Sequence, residues 1–265
     1  MTATLLTYLG DPDLKTAFLA EITKHEEQDA LIKGTYGTLD GTFKGCAIGC
    51  ALHSLNVLQG KVGPSLIALT GQHQRYEAEL GLPTWFAYME DHVFKHLPDD
   101  LAKTWPRRLA EAIPVGAVVD DMVLAKTLRW VLADTDFGVR FATDDEEIRG
   151  HIDGVIAGID AEISTGGNAT AEQREAAAWA AWAVWDAWDA RAAWAARAAW
   201  AAWAAWAVWA AWAAWDVWDA WDARAAWAAR AATNSSPAKA DAFFPALSEF
   251  VLGLVRELTP LEVHR

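Results

Sequence analysis

The sequence predicts an all-α protein with one small β-hairpin. Apolar residues recur at helical spacing through most of residues 1–165, and Gly and Pro interrupt them at short intervals. Residues 179–230 contain only Ala, Trp, Val, Asp and Arg, without a helix-breaking residue. We therefore expect a helical N-terminal domain, a long Ala/Trp helix and a last amphipathic helix.

Start and stop signals place the elements of the N-terminal part. Asp11 and Pro12 supply an N-cap and a first helical residue, and Gly34 predicts that this helix ends at about Lys33. The Asp-Gly turn at 40–41 predicts a hairpin over 35–45. Further helices are predicted at 46–58, 65–70, 72–80, 84–96, 99–112, 118–134, 144–163 and 241–258.

Composition shifts predict three parts. They are a globular helical domain over 1–165, a linker with the repeat helix over 166–232, and a C-terminal helix over 233–265 that packs back on the first domain. The net charge of −14 argues against a nucleic-acid partner, which needs a basic surface. The chain has two cysteines and begins without a basic, apolar leader, so we expect a cytoplasmic protein.

Residues 179–230 repeat with a period of three. Of the 18 positions spaced by three residues, 14 are Trp and four are Arg. We call these 14 side chains the Trp lane: Trp179, Trp182, Trp185, Trp188, Trp194, Trp200, Trp203, Trp206, Trp209, Trp212, Trp215, Trp218, Trp221 and Trp227. A slipping, duplicating DNA repeat would produce such a pattern whatever the protein does.

Two helical geometries compete for the repeat. An α-helix would wind the Trp lane around its axis, whereas a 3₁₀-helix would place every Trp on one face. The many Ala residues favour the α-helix, and an extended 3₁₀-helix stays as the alternative. Because each Trp buries on the order of 200 Å², the lane must dock within the chain, on a second copy or on another protein. Membrane insertion is disfavoured, since Arg and Asp flank the longest uncharged stretch, 198–215.

Cys46, Cys50 and His53 follow the hairpin at spacing i, i+4, i+7, which places them on one helix face. Together with His73 they form a candidate zinc-ligand set, because thiolates and imidazoles are the ligands that zinc prefers. His92 and His96, a second i, i+4 pair, are the alternative donors for the fourth position. Buried core cysteines with a hydrogen-bonded histidine are the structural alternative.

The same residues suggest a nucleophilic site. Gly45 places Cys46 at a helix N-terminus, where the helix dipole lowers the pKa of a thiol. His53 or His73 could then act as the base. A third hypothesis is a small-molecule pocket between the hairpin and the Cys46 helix.

Four segments carry a family resemblance: GTY…FKGCAIGCALHS at 34–54, HQRYEAELGLPTWFAYMEDHVF at 73–94, LPDDLA…WPRRLAEAIPVGA at 97–117, and an Ala-rich repeat tail. With them, the chain resembles an uncharacterised family of bacterial and phage proteins that have an N-terminal Gly-Cys-x-x-Gly-Cys helical domain. The resemblance implies an architecture and no activity. The leading functional hypothesis is a non-enzymatic binding or assembly protein that uses the Trp lane as its interface, and a thiol-dependent hydrolase or transferase with Cys46 as nucleophile is the alternative.

Overall fold

The computed structural model describes residues 4–40, 42–61, 69–142, 146–168, 170 and 237–261. Over these ranges the protein is all-α with one hairpin, as predicted. The helices are α1 Pro12–Glu27, α2 Ala47–Leu58, α3 Arg75–Leu80, α4 Thr84–His96, α5 Asp99–Ala112, α6 Asp121–Ala133, α7 Glu146–Ser164 and α8 Pro237–Arg256. Short 3₁₀ segments lie at Thr7–Gly10 and Val139–Ala142, and the strands are β1 Thr38–Asp40 and β2 Thr42–Lys44.

Helix α1 begins as predicted but ends six residues earlier. The Asp11 carboxylate accepts a hydrogen bond from Asp13 N at 2.8 Å and caps the helix. At the other end Asp29 adopts a left-handed φ of 51°, and Ala30 N donates to His25 O at 2.9 Å. The predicted end at Lys33 is therefore wrong, because the chain turns away in time for Leu31 to bridge Gly45.

The predicted hairpin at 35–45 is confirmed and sits between α1 and α2. Thr38 pairs with Lys44 and Leu39 with Phe43 in an antiparallel register. Gly45 N then donates to Ala30 O, and Ile32 N donates to Gly45 O, both at 2.9 Å. These bonds join the hairpin to the segment that follows α1, so the start of α2 is held by main chain on two sides.

The glycines of the Gly-Cys-x-x-Gly-Cys segment let main chain pass over the first turn of α2. A Cβ atom at Gly49 would lie 1.7 Å from the carbonyl oxygen of Tyr36, and one at Gly45 would lie 2.6 Å from the same atom. Cys46 N donates to Thr35 O at 2.7 Å in the same contact. Only glycine allows this approach, so the motif has a packing role.

The chain packs into two compact units. The first comprises residues up to Asp120 together with Leu247 and beyond, and there α1 packs on α2 and α5, while α4 packs on α2, α3 and α5. Its core is centred on large side chains with no more than 1% exposure: Tyr8, Ile22, Ile48, Leu52, Tyr76, Phe86, Phe94, Trp105 and Leu109. In this unit Arg108 pairs with Glu249 at 2.6 Å, and Leu261 N donates to Gly116 O.

The second unit runs from Asp121 to Ala246 and contains α6, α7 and the first half of α8. Helices α6 and α7 pack together and are joined by an Arg129–Asp160 ion pair. An aromatic group forms around Phe243, whose ring centroid lies 5.6 Å from that of Trp130 and 6.3 Å from that of Phe137. This unit therefore has an apolar cluster of its own.

The repeat lies outside the described residues. The predictions for the repeat helix and for the Trp lane, Trp179 to Trp227, therefore stay predictions, and so does the choice between α and 3₁₀ geometry. The predicted domain boundaries at 165 and 232 stay predictions as well. The helix predicted near 65–70 falls largely on residues 62–68, which are also outside the described ranges.

The Gly49 contact supplies a stability test. We expect Gly49→Ala to destabilise the protein by more than about 3 kcal/mol, because the new methyl would overlap a main-chain carbonyl that cannot swing aside. Gly150→Ala is the matched control in α7, where a Cβ meets nothing within 4 Å, and it should stabilise by about 0.5–1 kcal/mol. Urea unfolding of both full-length variants checks this, and equal effects would contradict it.

Candidate functional site

Cys46 lies at the N-terminus of α2, where the sequence placed it. It is the N-cap residue, and its Sγ accepts a hydrogen bond from Gly49 N at 3.5 Å. The side chain is only 3% exposed. The thiol therefore caps the helix and faces protein rather than a cleft.

The environment of Cys46 reverses the expected effect on its pKa. We expected the helix dipole to lower the pKa of this thiol. In the structure, burial raises the pKa of Cys46 and the nearby Asp91 carboxylate raises it further, while the hydrogen bond from Gly49 N opposes both. The expectation of a lowered pKa is corrected, because desolvation and a negative neighbour outweigh the helix terminus.

Cys50 is a second buried thiol, completely excluded from solvent. Its Sγ donates towards Gly45 O at 3.5 Å and Ala30 O at 3.8 Å, the two carbonyls where the hairpin meets the segment after α1. Burial raises the pKa of Cys50 to about 12. Both thiols are free and protonated at neutral pH.

His53 does not pair with Cys46. Its Nδ1 atom lies 3.2 Å from Nε2 of His25, and its ring stacks on Phe43 with centroids 4.0 Å apart. Residues seven apart share a helix face but are separated by about 10 Å along the axis. The predicted thiol–imidazole pair is therefore not formed, and the Nδ1 atom of His53 instead contacts His25 of α1.

His73, the other predicted base, has a different setting. It is 1% exposed, its ring stacks on Tyr88 with centroids 3.9 Å apart, and the ring of Tyr36 meets it edge-on at 5.8 Å. These contacts pack the imidazole between two aromatic side chains. They give His73 a structural role beside the hairpin.

The predicted zinc-ligand set is not brought together. Cys46, Cys50, His53 and His73 each point into the separate settings described above. Among the residues that the structure describes, no group of three or more His, Cys, Asp or Glu side chains is arranged to hold a metal ion. We therefore assign no metal to these four residues.

The hypothesis of a ligand pocket between the hairpin and α2 meets a similar obstacle. The Tyr36 carbonyl lies directly over Gly45 and Gly49, and a Cβ at Gly37 would lie 2.6 Å from the Phe43 ring. Main chain and an aromatic ring fill this contact closely. A small molecule would have to displace the hairpin to enter.

Two carboxylates on α4 are buried, although the acidic composition of the chain favours a solvent-facing position for them. Glu90 and Asp91 are 5% and 2% exposed, and Tyr76 Oη donates to Glu90 Oε2 at 2.9 Å. Burial raises the pKa of Glu90 to about 8, the Tyr76 hydrogen bond opposes this, and Asp91 adds to it. Asp91 pairs with Lys95 at 2.8 Å. The apolar neighbours Met89, Val93 and Phe94 were a possible signal of burial, but the acidic composition of the chain masked it.

His25 was missed by sequence reasoning, although its spacing signals burial. Phe18, Ile22 and His25 recur at the i, i+4, i+7 interval of a core-facing stripe, and all three are buried. Burial lowers the pKa of His25 to about 4, and His53 and Lys24 lower it further. His25 is thus a neutral imidazole packed between α1 and α2.

Comparison with protein-family models, curated proteins and solved structures gave no significant match. The resemblance to the Gly-Cys-x-x-Gly-Cys family therefore stays a prediction. Among the described helices, none combines the length and the apolar character needed to cross a bilayer.

Thiol labelling tests the account of the two cysteines. We expect both Cys46 and Cys50 in native full-length protein to react with iodoacetamide at pH 8 at least a hundredfold more slowly than in urea, because each is buried and protonated. Mass spectrometry of the labelled peptide over time checks this. Rapid native labelling of Cys46 alone would contradict it and restore the nucleophile hypothesis.

Glu90 supplies a test of pH dependence. Its folded pKa of about 8 lies above its ordinary value of 4.5, so the folded state holds a proton that the unfolded state has lost. Stability from this group is therefore lost as pH rises, at up to about 1.4 kcal/mol per pH unit between about 5 and 8. Glu90→Gln keeps an acceptor for Tyr76 and should remove this slope, as followed by urea unfolding at pH 6.5 to 8, where Glu90 acts without His25. Glu27→Gln, at an exposed site, should leave the slope unchanged, and a wild-type slope in Glu90→Gln would contradict the account.

Proposed function

We propose that this protein is a non-enzymatic assembly protein whose copies associate through the Trp lane. The observation that carries the proposal is the state of its most reactive side chains: both thiols are buried, free and protonated. The residues best suited to chemistry are thus used for packing. Among the features of the sequence, the repeat then offers the largest apolar side-chain surface for binding another protein.

The composition of the repeat supports this proposal. Fourteen Trp in 52 residues amount to on the order of 2,800 Å² of side-chain surface at about 200 Å² each. That is more than a standard protein–protein interface buries in total. Trp is also one of the three residue types enriched at the energetic centres of such interfaces.

The charge pattern favours protein rather than nucleic acid as the partner. The repeat carries four Arg and five Asp within a chain of net charge −14. Aromatic stacking on single strands depends on a basic groove, which this composition does not supply. A second copy has the same mixture of Arg, Asp and Trp and could pair its charges across the interface.

The two free thiols suit a reducing compartment, so we place the protein in the cytoplasm as part of the same proposal. The resemblance to the bacterial and phage family with an Ala-rich tail is compatible with it. That resemblance adds an architecture and contributes no activity.

Native mass spectrometry of full-length protein tests the proposal. We expect a multimer at about 10 μM, and at least a hundredfold weaker association when five central lane residues become Ala, because each truncation removes on the order of 200 Å² of apolar surface. The five are Trp200, Trp203, Trp206, Trp209 and Trp212.

Replacing the same five residues by Phe is the matched control. Phe keeps an aromatic surface, so association should weaken far less than with Ala. A wild-type monomer would overturn the proposal, whether or not the Ala variant is less stable. So would a multimer that the five Ala substitutions leave intact.

A further inference from the structure

Two histidines join α1 to α2 beneath the hairpin. His25 Nε2 and His53 Nδ1 lie 3.2 Å apart. Phe43 of β2 stacks on the His53 ring and meets the His25 ring at 5.6 Å with a tilt of 58°. Three elements therefore meet at one contact between two imidazoles.

Burial decides where the shared proton lies. His25 is 4% exposed, and its Nδ1 atom has no hydrogen-bond partner among the residues that the structure describes. A buried N–H without an acceptor is less tolerable than a bare acceptor nitrogen. The neutral pair therefore carries its proton on His25 Nε2, which donates to the lone pair of His53 Nδ1.

We propose that this histidine pair is an acid-sensitive latch that holds the hairpin against α1 and α2. When His53 takes up a proton at Nδ1, the lone pair that accepts from His25 is lost. Two N–H groups then face each other across 3.2 Å. The contact opens, and Phe43, which rests on both rings, loses its support.

The neighbouring charges direct the proton to His53. Burial lowers the pKa of both imidazoles, but Glu21 of α1 raises that of His53, which is also the more exposed ring. Lys24 of α1 opposes a charge on His25. Strand β2 meets the pair through the uncharged Phe43 ring.

Helix α5 also packs against α1 and α2. Its ion pairs with α1, with the segment after α1 and within α5 itself are Arg107 with Glu26, Lys103 with Asp29, Asp99 with Lys33, and Arg107 with Glu111. These ion pairs join carboxylates to arginine and lysine side chains, and neither imidazole of the histidine pair takes part in them.

Hydrogen exchange of full-length protein at pH 7 and pH 5 tests the latch. After correction for intrinsic exchange rates, we expect protection of residues 38–45 to fall at least tenfold at pH 5. Protection of α5, residues 99–112, should stay constant, which separates local opening from global unfolding. Equal hairpin protection at both pH values would overturn the proposal.

His53→Gln isolates the titrating group. The Gln carbonyl can accept from His25 Nε2 but takes up no proton, so hairpin protection at pH 5 should match that at pH 7. His151→Gln, a partly exposed histidine in α7, is the matched control and should respond to pH as wild type does. A His53→Gln hairpin that still opens at pH 5 would contradict the latch.

Wild-type protein gives an independent readout if the Gln variant fails to fold. Imidazole ¹⁵N spectra at pH 7 should show His25 and His53 both protonated at Nε2 and bare at Nδ1. On acidification His53 should gain its second proton first, together with a shift of the Phe43 resonances. A first proton on His25, or a hairpin that ignores the titration, would overturn the proposal.

Discussion

The structure of the first unit depends on the approach of one carbonyl, that of Tyr36, to the first turn of α2. A Cβ at Gly49 would lie 1.7 Å from this oxygen, so the segment that leads into the hairpin and the first turn of α2 can meet only where a side chain is absent. The approach carries Gly45 into bonds with both Ala30 and Ile32. It also encloses the cysteines between main chain and helix. The spacing of Gly45 and Gly49 thus affects the acidity of the neighbouring thiols, because the close main-chain contact keeps water away from Cys46 and Cys50.

Exclusion of water explains why the thiols of the Gly-Cys-x-x-Gly-Cys segment have raised pKa values, although the sequence predicts a nucleophile there. A helix N-terminus stabilises a thiolate by a modest amount, whereas full burial of a charge costs far more. At Cys46 the second effect prevails, and Asp91 adds to it. The thiols act as small apolar side chains with weak hydrogen bonds, a common role for buried cysteine. The same burial that removes a catalytic role makes the cysteines sensitive reporters of whether the hairpin is in place.

Local sequence patterns predict most of the helices of this fold, but they do not predict the contacts of the candidate site. Helices α4 and α5 fall on the predicted ranges 84–96 and 99–112, because caps, prolines and amphipathic spacing act within a few residues. The end of α1 was misplaced because Leu31 is recruited by Gly45, fourteen residues away. The predicted pairing of Cys46 with His53 is wrong because residues seven apart share a helix face but are separated by about 10 Å along the helix axis. His25 could have been found from its place in the apolar stripe of α1, but its contact with His53 is tertiary and left no local signal.

Two buried ionisable groups in the first unit push stability in opposite directions. His25 has a folded pKa of about 4, below its ordinary 6.5, so the unfolded chain binds more protons and stability falls as pH drops below about 6.5. Glu90 has a folded pKa of about 8, above its ordinary 4.5, so stability falls as pH rises above about 4.5. Between 4.5 and 6.5 the two slopes, each of about one proton, cancel. Outside this pH range only one of the two groups changes the free energy of unfolding with pH. Their joint contribution to stability is therefore constant between pH 4.5 and 6.5 and declines on both sides. Both groups are neutral on this plateau, which is the state that their apolar surroundings require.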